Sequence, residues 1–198
     1  MILKTFLDDC KARIDDPESV LVVGNEAADC DSIVSALTWA YLGGDKRYIP
    51  VVNNRKEVVA LRAEVAIALA AVGVTLDDLV FLEDILRPER HLAVFLVDHN
   101  EPSAQWDRLG LDYSVVGVID HHEDVGLFKD APTRIVSVCG SCVTLVLQAL
   151  PSPPPLWMHE MLITALTVDT VNWTWRVTEA DVRAAEWLTG FGTVDELH

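Results

Sequence analysis

Residues 20–32 read VLVVGNEAADCDS, an apolar run that ends in two carboxylates. The β-branched stretch Val20–Val23 predicts a short strand that is buried on both faces. The spacing of apolar residues over 32–42 predicts a helix soon after it. A buried strand followed by a helix is the repeating unit of a parallel sheet. The segment therefore predicts an α/β fold with Asp29 and Asp31 beyond the end of a strand.

The rest of the chain repeats this alternation. Further strands are predicted at residues 48–52, 80–82, 91–97, 115–119 and 135–138. Further helices are predicted at 2–15, 57–72 (with Gly73 as its cap), 141–150 and 156–168, and a helical turn from 75 to 78. Thr178 and Asp181 form a capping-box pattern, which predicts a last helix that ends near Gly190. We expect a mostly parallel sheet with helices on both faces, one domain over residues 1–176, and a C-terminal helix over 177–198.

Composition narrows the function classes. The chain has 198 residues, 51% of them hydrophobic, which is typical of a packed globule. Its net charge of −16 argues against binding to nucleic acid. No apolar run reaches the length of a membrane span, and we expect no membrane partner. The N-terminal stretch does not have the pattern of a signal peptide, and four cysteines do not make a disulfide scaffold. These features predict a cytoplasmic protein.

Polar clusters follow the later apolar runs. Asp98 follows one predicted strand, the triplet Asp120-His121-His122 follows the next, and Asp169 ends a predicted helix. The carboxyl ends of parallel strands face one crevice, which is the usual ligand site of such a sheet. Carboxylates and imidazoles in one crevice are what divalent metals require. The clusters therefore predict a two-metal phosphoesterase centre.

Each cluster also has an explanation without a metal. Asp29 and Asp98 are suited to cap the elements that follow them, and for Asp29 alone that is the more common role. The adjacent histidines of the triplet point to opposite sides of an extended segment, so one can bind metal while the other faces substrate. A carboxylate at a helix C-terminus, as predicted for Asp169, is disfavoured by the helix dipole unless a cation binds there.

Two other patterns are weaker. Cys139 and Cys142 have the C-x-x-C spacing of thiol–disulfide enzymes. The six tryptophans, several near the C-terminus, are expected to pack in the core or at a domain interface.

Taken together, the motifs resemble the DHH phosphoesterase superfamily, over about residues 20–172. The resemblance rests on residues 24–32, 98–100, 120–122, 140–142 and 169–172, in that order. Asn25, where many relatives carry His, and the basic segment after residue 52 are similar to the exopolyphosphatase/prune branch. The resemblance implies a DHH domain that uses two divalent ions, Mn²⁺ or Mg²⁺, to hydrolyse phosphoanhydride bonds.

The resemblance also implies residue roles. One ion would be held by Asp29 and Asp98, with help from Asn25. The second ion would be held by Asp31, Asp98, His121 and Asp169. Asp98 would therefore bridge the two ions, and Asp169 could bridge them as well. His122 would contact the scissile phosphate, Asp120 would orient a histidine, and Arg55 and Lys56 would bind substrate.

The function implied is exopolyphosphatase activity, which releases orthophosphate from inorganic polyphosphate. The alternatives are an inorganic pyrophosphatase, a nucleotide phosphodiesterase, and a prune-like regulatory or scaffold domain. Relatives carry a C-terminal domain that closes over the site, whereas this chain ends one helix past Asn172. We therefore expect that the chain is a fragment or that it works differently from its relatives. We also expect poor hydrolysis of polyphosphate by this chain alone, and self-association through the Trp-bearing surface at residues 173–187.

Overall fold

The computed structural model describes residues 2–86 and 90–190. Within these ranges, six strands form one sheet in the order β3-β2-β1-β4-β5-β6, and each neighbouring pair is parallel. The strands are β1 (Val20–Val23), β2 (Tyr48–Val52), β3 (Val80–Phe81), β4 (His91–Val97), β5 (Asp112–Asp120) and β6 (Thr133–Val136). The predicted parallel sheet is confirmed, and the predicted bounds of β1, β2 and β4 match.

Helices cover both faces of this sheet, as predicted. They are α1 (Ile2–Ala12), α2 (Cys30–Leu42), α3 (Lys56–Val59), α4 (Ala63–Ala71), α5 (Leu82–Ile85), α6 (Ala104–Arg108), α7 (Cys142–Ala149), α8 (His159–Asp169) and α9 (Glu179–Thr189), with 3₁₀ turns at Leu76–Asp78 and Leu156–Met158. On one face, α2, α4, α7 and α8 pack with alternate strand residues such as Val22 and Phe95. On the other, α5 and α6 pack with Leu21 and Val94 around the buried ring of Trp106.

The single helix predicted over residues 57–72 is wrong. The chain forms two helices, α3 and α4, and Arg62 between them has an extended backbone, with φ −96° and ψ 96°. The guanidinium of Arg62 donates a hydrogen bond of 2.6 Å to the carbonyl of Ala27, which precedes Asp29. The local propensity of this segment is helical, but the helix is interrupted at Arg62. The interruption accompanies the contact of Arg62 with the loop after β1. Gly73, with φ 69°, follows α4 as predicted.

The strand order places a topological switch point at β1. The chain runs outward from β1 to β2 and β3, then returns to β4 on the other side of β1. In open α/β sheets, ligands bind beyond the carboxyl ends of the two strands at such a point. Here those ends lead into the loop that carries Asp29 and into Asp98.

The last helix, α9, packs against α7 and α8. Ala184, Trp187 and Leu188 on α9 are buried in the same core as the sheet. The capping box predicted at its start is present, because Thr178 and Asp181 exchange hydrogen bonds. The predicted domain boundary at residue 176 remains a proposal, and residues 191–198 of the predicted final segment lie outside the described residues. No helix in the described part of the chain is long and apolar enough to cross a membrane.

Candidate metal centre

Three carboxylates converge on one imidazole nitrogen at the carboxyl edge of the sheet. His121 Nε2 lies 3.1 Å from Asp98 Oδ1, 3.7 Å from Asp169 Oδ2 and 3.8 Å from Asp31 Oδ2. His121 Nδ1 lies 3.1 Å from the carbonyl oxygen of Cys139 and donates to it, which leaves Nε2 facing the carboxylates. Sequence analysis predicted all four side chains as metal ligands, and the structure brings them together.

Asp31 is held by the start of α7. Its carboxylate accepts hydrogen bonds from Ser141 Oγ at 2.5 Å, from the backbone N–H of Cys142 at 2.7 Å, and from that of Val143 at 3.2 Å. Asp31 also lies in the first turn of α2. Its carboxylate therefore lies at two helix N-termini, which favour negative charge. Residues 139–142 are called the 139–142 turn. They include Ser141 and Cys142, which donate to Asp31, and Cys139, whose carbonyl accepts from His121.

Asp98 has a left-handed backbone, with φ 63°, which is uncommon for a residue other than glycine. Its N–H still bonds to the carbonyl of Ile119 at 2.9 Å, so the turn comes directly after the last β4–β5 contact. The side-chain amide of Asn25 donates to Asp98 Oδ2 at 2.7 Å, while Asn25 Oδ1 accepts from the N–H of Ala28. The N–H of Ala28 must face the oxygen of the Asn25 amide, because the NH₂ group of that amide is itself a donor. The two contacts therefore fix the orientation of the Asn25 amide. Asn25 therefore orients Asp98 across the switch point.

Asp169 is the last residue of α8, as predicted. Three consecutive residues with left-handed backbones, Val171, Asn172 and Trp173, turn the chain away just after it. Burial, followed by the negative charge of Asp31, raises the pKa of Asp169 to about 7. The helix end thus places a carboxylate where both its surroundings and the helix dipole disfavour its charge.

The site fits a cation. Asp98 Oδ1 and Asp169 Oδ2 are buried, and apart from the approach of His121 Nε2 neither has a hydrogen-bond partner among the described residues. Burial raises the pKa of Asp98 well above its usual range and also raises that of Asp31. Burial opposes the charged form of His121, but contacts with Asp98, Cys139 and Asp31 outweigh it and raise its pKa to about 12. Buried carboxylates that gather around one imidazole are suited to a divalent ion, and their oxygen-rich chemistry suits Mn²⁺ or Mg²⁺.

Over residues 2–86 and 90–190, two groups of side chains could hold an ion. One consists of Asp98, His121 and His122, the other of Asp31, His121 and Asp169, and within each group the ligand atoms lie within 4.8 Å of one another. Asp29, the remaining predicted ligand, is the N-cap of α2, where it accepts a 3.0 Å hydrogen bond from the N–H of Ser32.

Asp29 therefore has the capping role, and its charge also acts on the site. Burial is the main reason for the raised pKa of Asp31, Asp98 and Asp169, and the negative charge of Asp29 adds to it in each case. The cap uses one carboxylate oxygen, so the second oxygen of Asp29 can still contact an ion.

The two adjacent histidines occupy different surroundings. His121 is 4% exposed, whereas the side chain of His122 is 44% exposed. His122 Nδ1 lies 2.8 Å from Asp120 Oδ1. Burial alone would raise the pKa of Asp120, but hydrogen bonds from His122 and Asn100 outweigh it and hold the pKa below its usual range. Since Asp120 is then a carboxylate, His122 Nδ1 carries the proton, and Nε2 makes no hydrogen bond within the described residues.

Asn100 is a site residue that sequence analysis did not assign. Its side-chain amide donates to Asp120 Oδ2 and, at 3.0 Å, to the carbonyl of Glu123, and its Oδ1 accepts from the N–H of Val125 at 2.9 Å. It therefore fixes both Asp120 and the loop that follows His122. Its position two residues after Asp98 was the available signal, but the partners lie 20 to 25 residues away.

Replacing Asn100 with alanine is expected to destabilise the protein by about 1–3 kcal/mol, because buried donors and acceptors are left without partners. Denaturant unfolding would measure the loss. Asn54→Ala is the control, since Asn54 makes comparable bonds to Glu26 and Arg55 near the surface. Equal losses for the two variants would contradict the role given to Asn100.

The predicted substrate-binding cations lie at the same edge of the sheet. Arg55 is the N-cap residue before α3, in the loop after β2, and its guanidinium has no hydrogen-bond or ionic partner among the described residues. Lys56 Nζ forms an ion pair with Asp77. Asn53 and Asn54 donate to the carbonyls of Gly24 and Glu26, so the loop is tied to the one that precedes Asp29.

The C-x-x-C pair does not have the surroundings of a redox site. Cys139 and Cys142 are buried, and burial raises the pKa of both thiols. A thiol with a raised pKa is a poor nucleophile. In this structure the segment serves instead through its backbone, which supports His121 and Asp31.

Comparison with known proteins identifies the family of this chain. The model of the DHH family, N-terminal domain, matches residues 19–167. The chain belongs to the DHH family. The resemblance inferred from the motifs is thereby confirmed.

Individual relatives of this DHH chain have names that fall in two groups. It is 38% identical over 137 residues to a "Putative exopolyphosphatase" of Schizosaccharomyces pombe, an alignment that covers 66% of this chain and 35% of the relative. It is 28% identical to "Exopolyphosphatase PRUNE1" of Rattus norvegicus (94% and 44%). It is 26% identical to a "Probable manganese-dependent inorganic pyrophosphatase" of Archaeoglobus fulgidus (90% and 58%). The chain thus spans from about a third to just under three fifths of these relatives.

A solved structure has the same fold. The crystal structure of a "putative family II inorganic pyrophosphatase" of Methanococcus jannaschii superposes with a TM-score of 0.67 at 24% identity, covering 89% of this chain and 58% of that one. At this identity the likeness concerns the fold alone.

Proposed function

We propose that this chain carries the catalytic centre of a metal-dependent phosphoanhydride hydrolase, with inorganic polyphosphate as substrate and orthophosphate as product. The observation that carries the proposal is the convergence of Asp31, Asp98 and Asp169 on His121 Nε2, with two buried carboxylate oxygens for which the described part of the chain supplies no other partner. Family membership and the names of the fission yeast and rat relatives support the substrate class.

We propose two ions. One is assigned to Asp29 and Asp98, and the other to Asp31, Asp98, His121 and Asp169. When bound, such ions lower the pKa of a water and neutralise phosphate oxygens, so an acidic protein can act on a polyanion. The Archaeoglobus relative's name supports Mn²⁺, and the carboxylate-rich ligands suit Mg²⁺ as well.

The chain's own residues then have distinct tasks. Asn25 holds Asp98 in place, and the 139–142 turn holds Asp31 and His121. Asp120 fixes the ring of His122 so that Nε2 faces outward to bond a phosphate oxygen in the transition state. Arg55 supplies a charge for the more distant phosphates. Self-association near Trp175, a half-exposed side chain, stays a prediction.

Phosphate release from a substrate panel tests the proposal. The panel contains polyphosphate, pyrophosphate and a nucleotide phosphodiester, each with Mn²⁺, with Mg²⁺ and with a chelator. We expect metal-dependent release of orthophosphate from polyphosphate, and Asp98→Asn protein prepared in the same way controls for contaminating phosphatases. If pyrophosphate were the only substrate hydrolysed, the result would favour the pyrophosphatase that the Archaeoglobus relative suggests. If none of the substrates released phosphate in a metal-dependent way, the proposal would be rejected.

Mn²⁺ is expected to raise the melting temperature of the metal-free protein, because a ligand that binds only the native state stabilises it by mass action. At a concentration about 100 times the dissociation constant, the gain is about 2.7 kcal/mol. Differential scanning fluorimetry measures the shift, and Asp98→Asn, which lacks one ligand charge, should show a smaller one. An equal shift in both proteins would place the ion elsewhere.

A further inference from the structure

Asp181 is a fully buried carboxylate on α9, outside the segment that the family model matches. It accepts hydrogen bonds from the N–H and the hydroxyl of Thr178, both 2.7 Å long, which form the capping box of α9. It also accepts a 2.8 Å bond from the N–H of Gly140 and a 2.6 Å bond from Thr144 Oγ1. The last two bonds join α9 to the 139–142 turn and to α7.

The 139–142 turn is the segment that supports two of the proposed ligands. The carbonyl of Cys139 accepts from His121, and Ser141 donates to Asp31. Gly140 lies between these two contacts. A shift of its backbone would therefore move the partners of both His121 and Asp31.

Close packing holds Gly140 on two sides. A Cβ atom at this position would lie 2.9 Å from Asp181 Oδ2 and 2.8 Å from the methyl group of Thr170, the residue after Asp169. Real Cβ atoms essentially never make contacts under 3.0 Å. The turn is therefore clamped between α9 and the end of α8.

We propose that Asp181 is a positioning residue for the metal centre, which it affects through Gly140 and the 139–142 turn. The inference rests on the proposed metal-dependent function. It makes α9 part of the catalytic unit, although sequence analysis placed this helix beyond the domain. Loss of such outer partners of metal ligands typically lowers metal affinity about 10- to 100-fold.

The alternative is that Asp181 only caps α9. The two roles predict different results for Asp181→Asn, an isosteric change. One oxygen of Asp181 accepts from the N–H groups of Gly140 and Thr178, whereas the other faces the hydroxyl of Thr144, which can also accept. Asparagine therefore either turns its nitrogen toward the backbone donors or leaves Gly140 with an uncharged and weaker acceptor. Asp78→Asn is the matched control, because Asp78 forms the same capping box with Thr75 but has Lys4, rather than the 139–142 turn, as its additional partner.

The experiment is a calorimetric titration of the metal-free chain with Mn²⁺, together with its melting temperature, for the wild type and both variants. We expect Asp181→Asn to bind Mn²⁺ about 10- to 100-fold more weakly. We expect Asp78→Asn to lose thermal stability but keep the wild-type affinity. Wild-type affinity in Asp181→Asn would overturn the inference and leave the proposed function intact, whereas a wild-type chain that binds no Mn²⁺ would overturn both.

Gly140→Ala gives an independent readout if Asp181→Asn fails to fold. Its methyl group pushes the turn away from Asp181 and Thr170 without altering the carboxylate. We expect the same loss of Mn²⁺ affinity, and wild-type affinity in a folded Gly140→Ala protein would contradict the proposed path from Asp181 to the metal centre.

Discussion

Asp98→Ala is expected to abolish hydrolysis and to weaken Mn²⁺ binding more than Asp29→Ala does. Asp98 contacts both Asn25 and His121, and it is the carboxylate assigned to both ions. Asp29 uses one oxygen to cap α2. Loss of a bridging carboxylate leaves two like charges close together without the anion between them. We expect a loss of affinity beyond the roughly 10- to 100-fold that follows loss of an outer partner.

Calorimetric titration of the two variants with Mn²⁺ measures the difference. Asp98→Asn and Asp29→Asn repeat the comparison with isosteric changes. Each of them removes one negative charge and leaves the side-chain volume unchanged. The metal-free Asp98 variants should still fold, because removing a buried carboxylate with a raised pKa relieves repulsion in the cluster. Equal losses in the Asp98 and Asp29 variants would mean that Asp98 serves one ion only.

His122→Asn is expected to lower kcat about 10²- to 10⁴-fold, the range typical of a lost acid–base or transition-state contact. Its Mn²⁺ affinity should stay close to that of the wild type, because Nδ1 is bonded to Asp120 and the side chain is half exposed. His121→Asn should instead lose Mn²⁺ affinity. The adjacent pair thus offers matched variants of one residue type.

Steady-state kinetics at saturating Mn²⁺, combined with metal titration, separates the two roles. His122 Nδ1 also lies 3.9 Å from Asp98 Oδ1, in the group formed with His121. If His122→Asn lost as much Mn²⁺ affinity as His121→Asn, His122 would be a metal ligand rather than a phosphate contact.

Much of the framework follows from local sequence. Apolar runs marked β1, β2 and β4, and carboxylates beyond the ends of β1 and β4 marked the carboxyl edge of the sheet. The end of α8 at Asp169 was predictable from apolar spacing. These features depend on neighbours in the chain, so the pattern is sufficient to find them.

Features that depend on distant contacts were missed. The break between α3 and α4 accompanies a bond from Arg62 to Ala27, thirty-five residues away in sequence. The partnership of Asp181 with Gly140 spans forty-one residues. The sequence pattern predicts that Asp181 forms a capping box with Thr178. It does not predict the bonds that Asp181 accepts from Gly140 and Thr144, because they join distant parts of the chain.

The most direct test of the central claim is an anomalous-difference map from crystals of this chain grown with Mn²⁺. The account predicts two Mn²⁺ peaks roughly 3.5–4 Å apart, as in other two-metal sites, with Asp98 in contact with both and Asp31, His121 and Asp169 around the second. A map with no peak among these side chains, or with a single fully occupied peak, would contradict it.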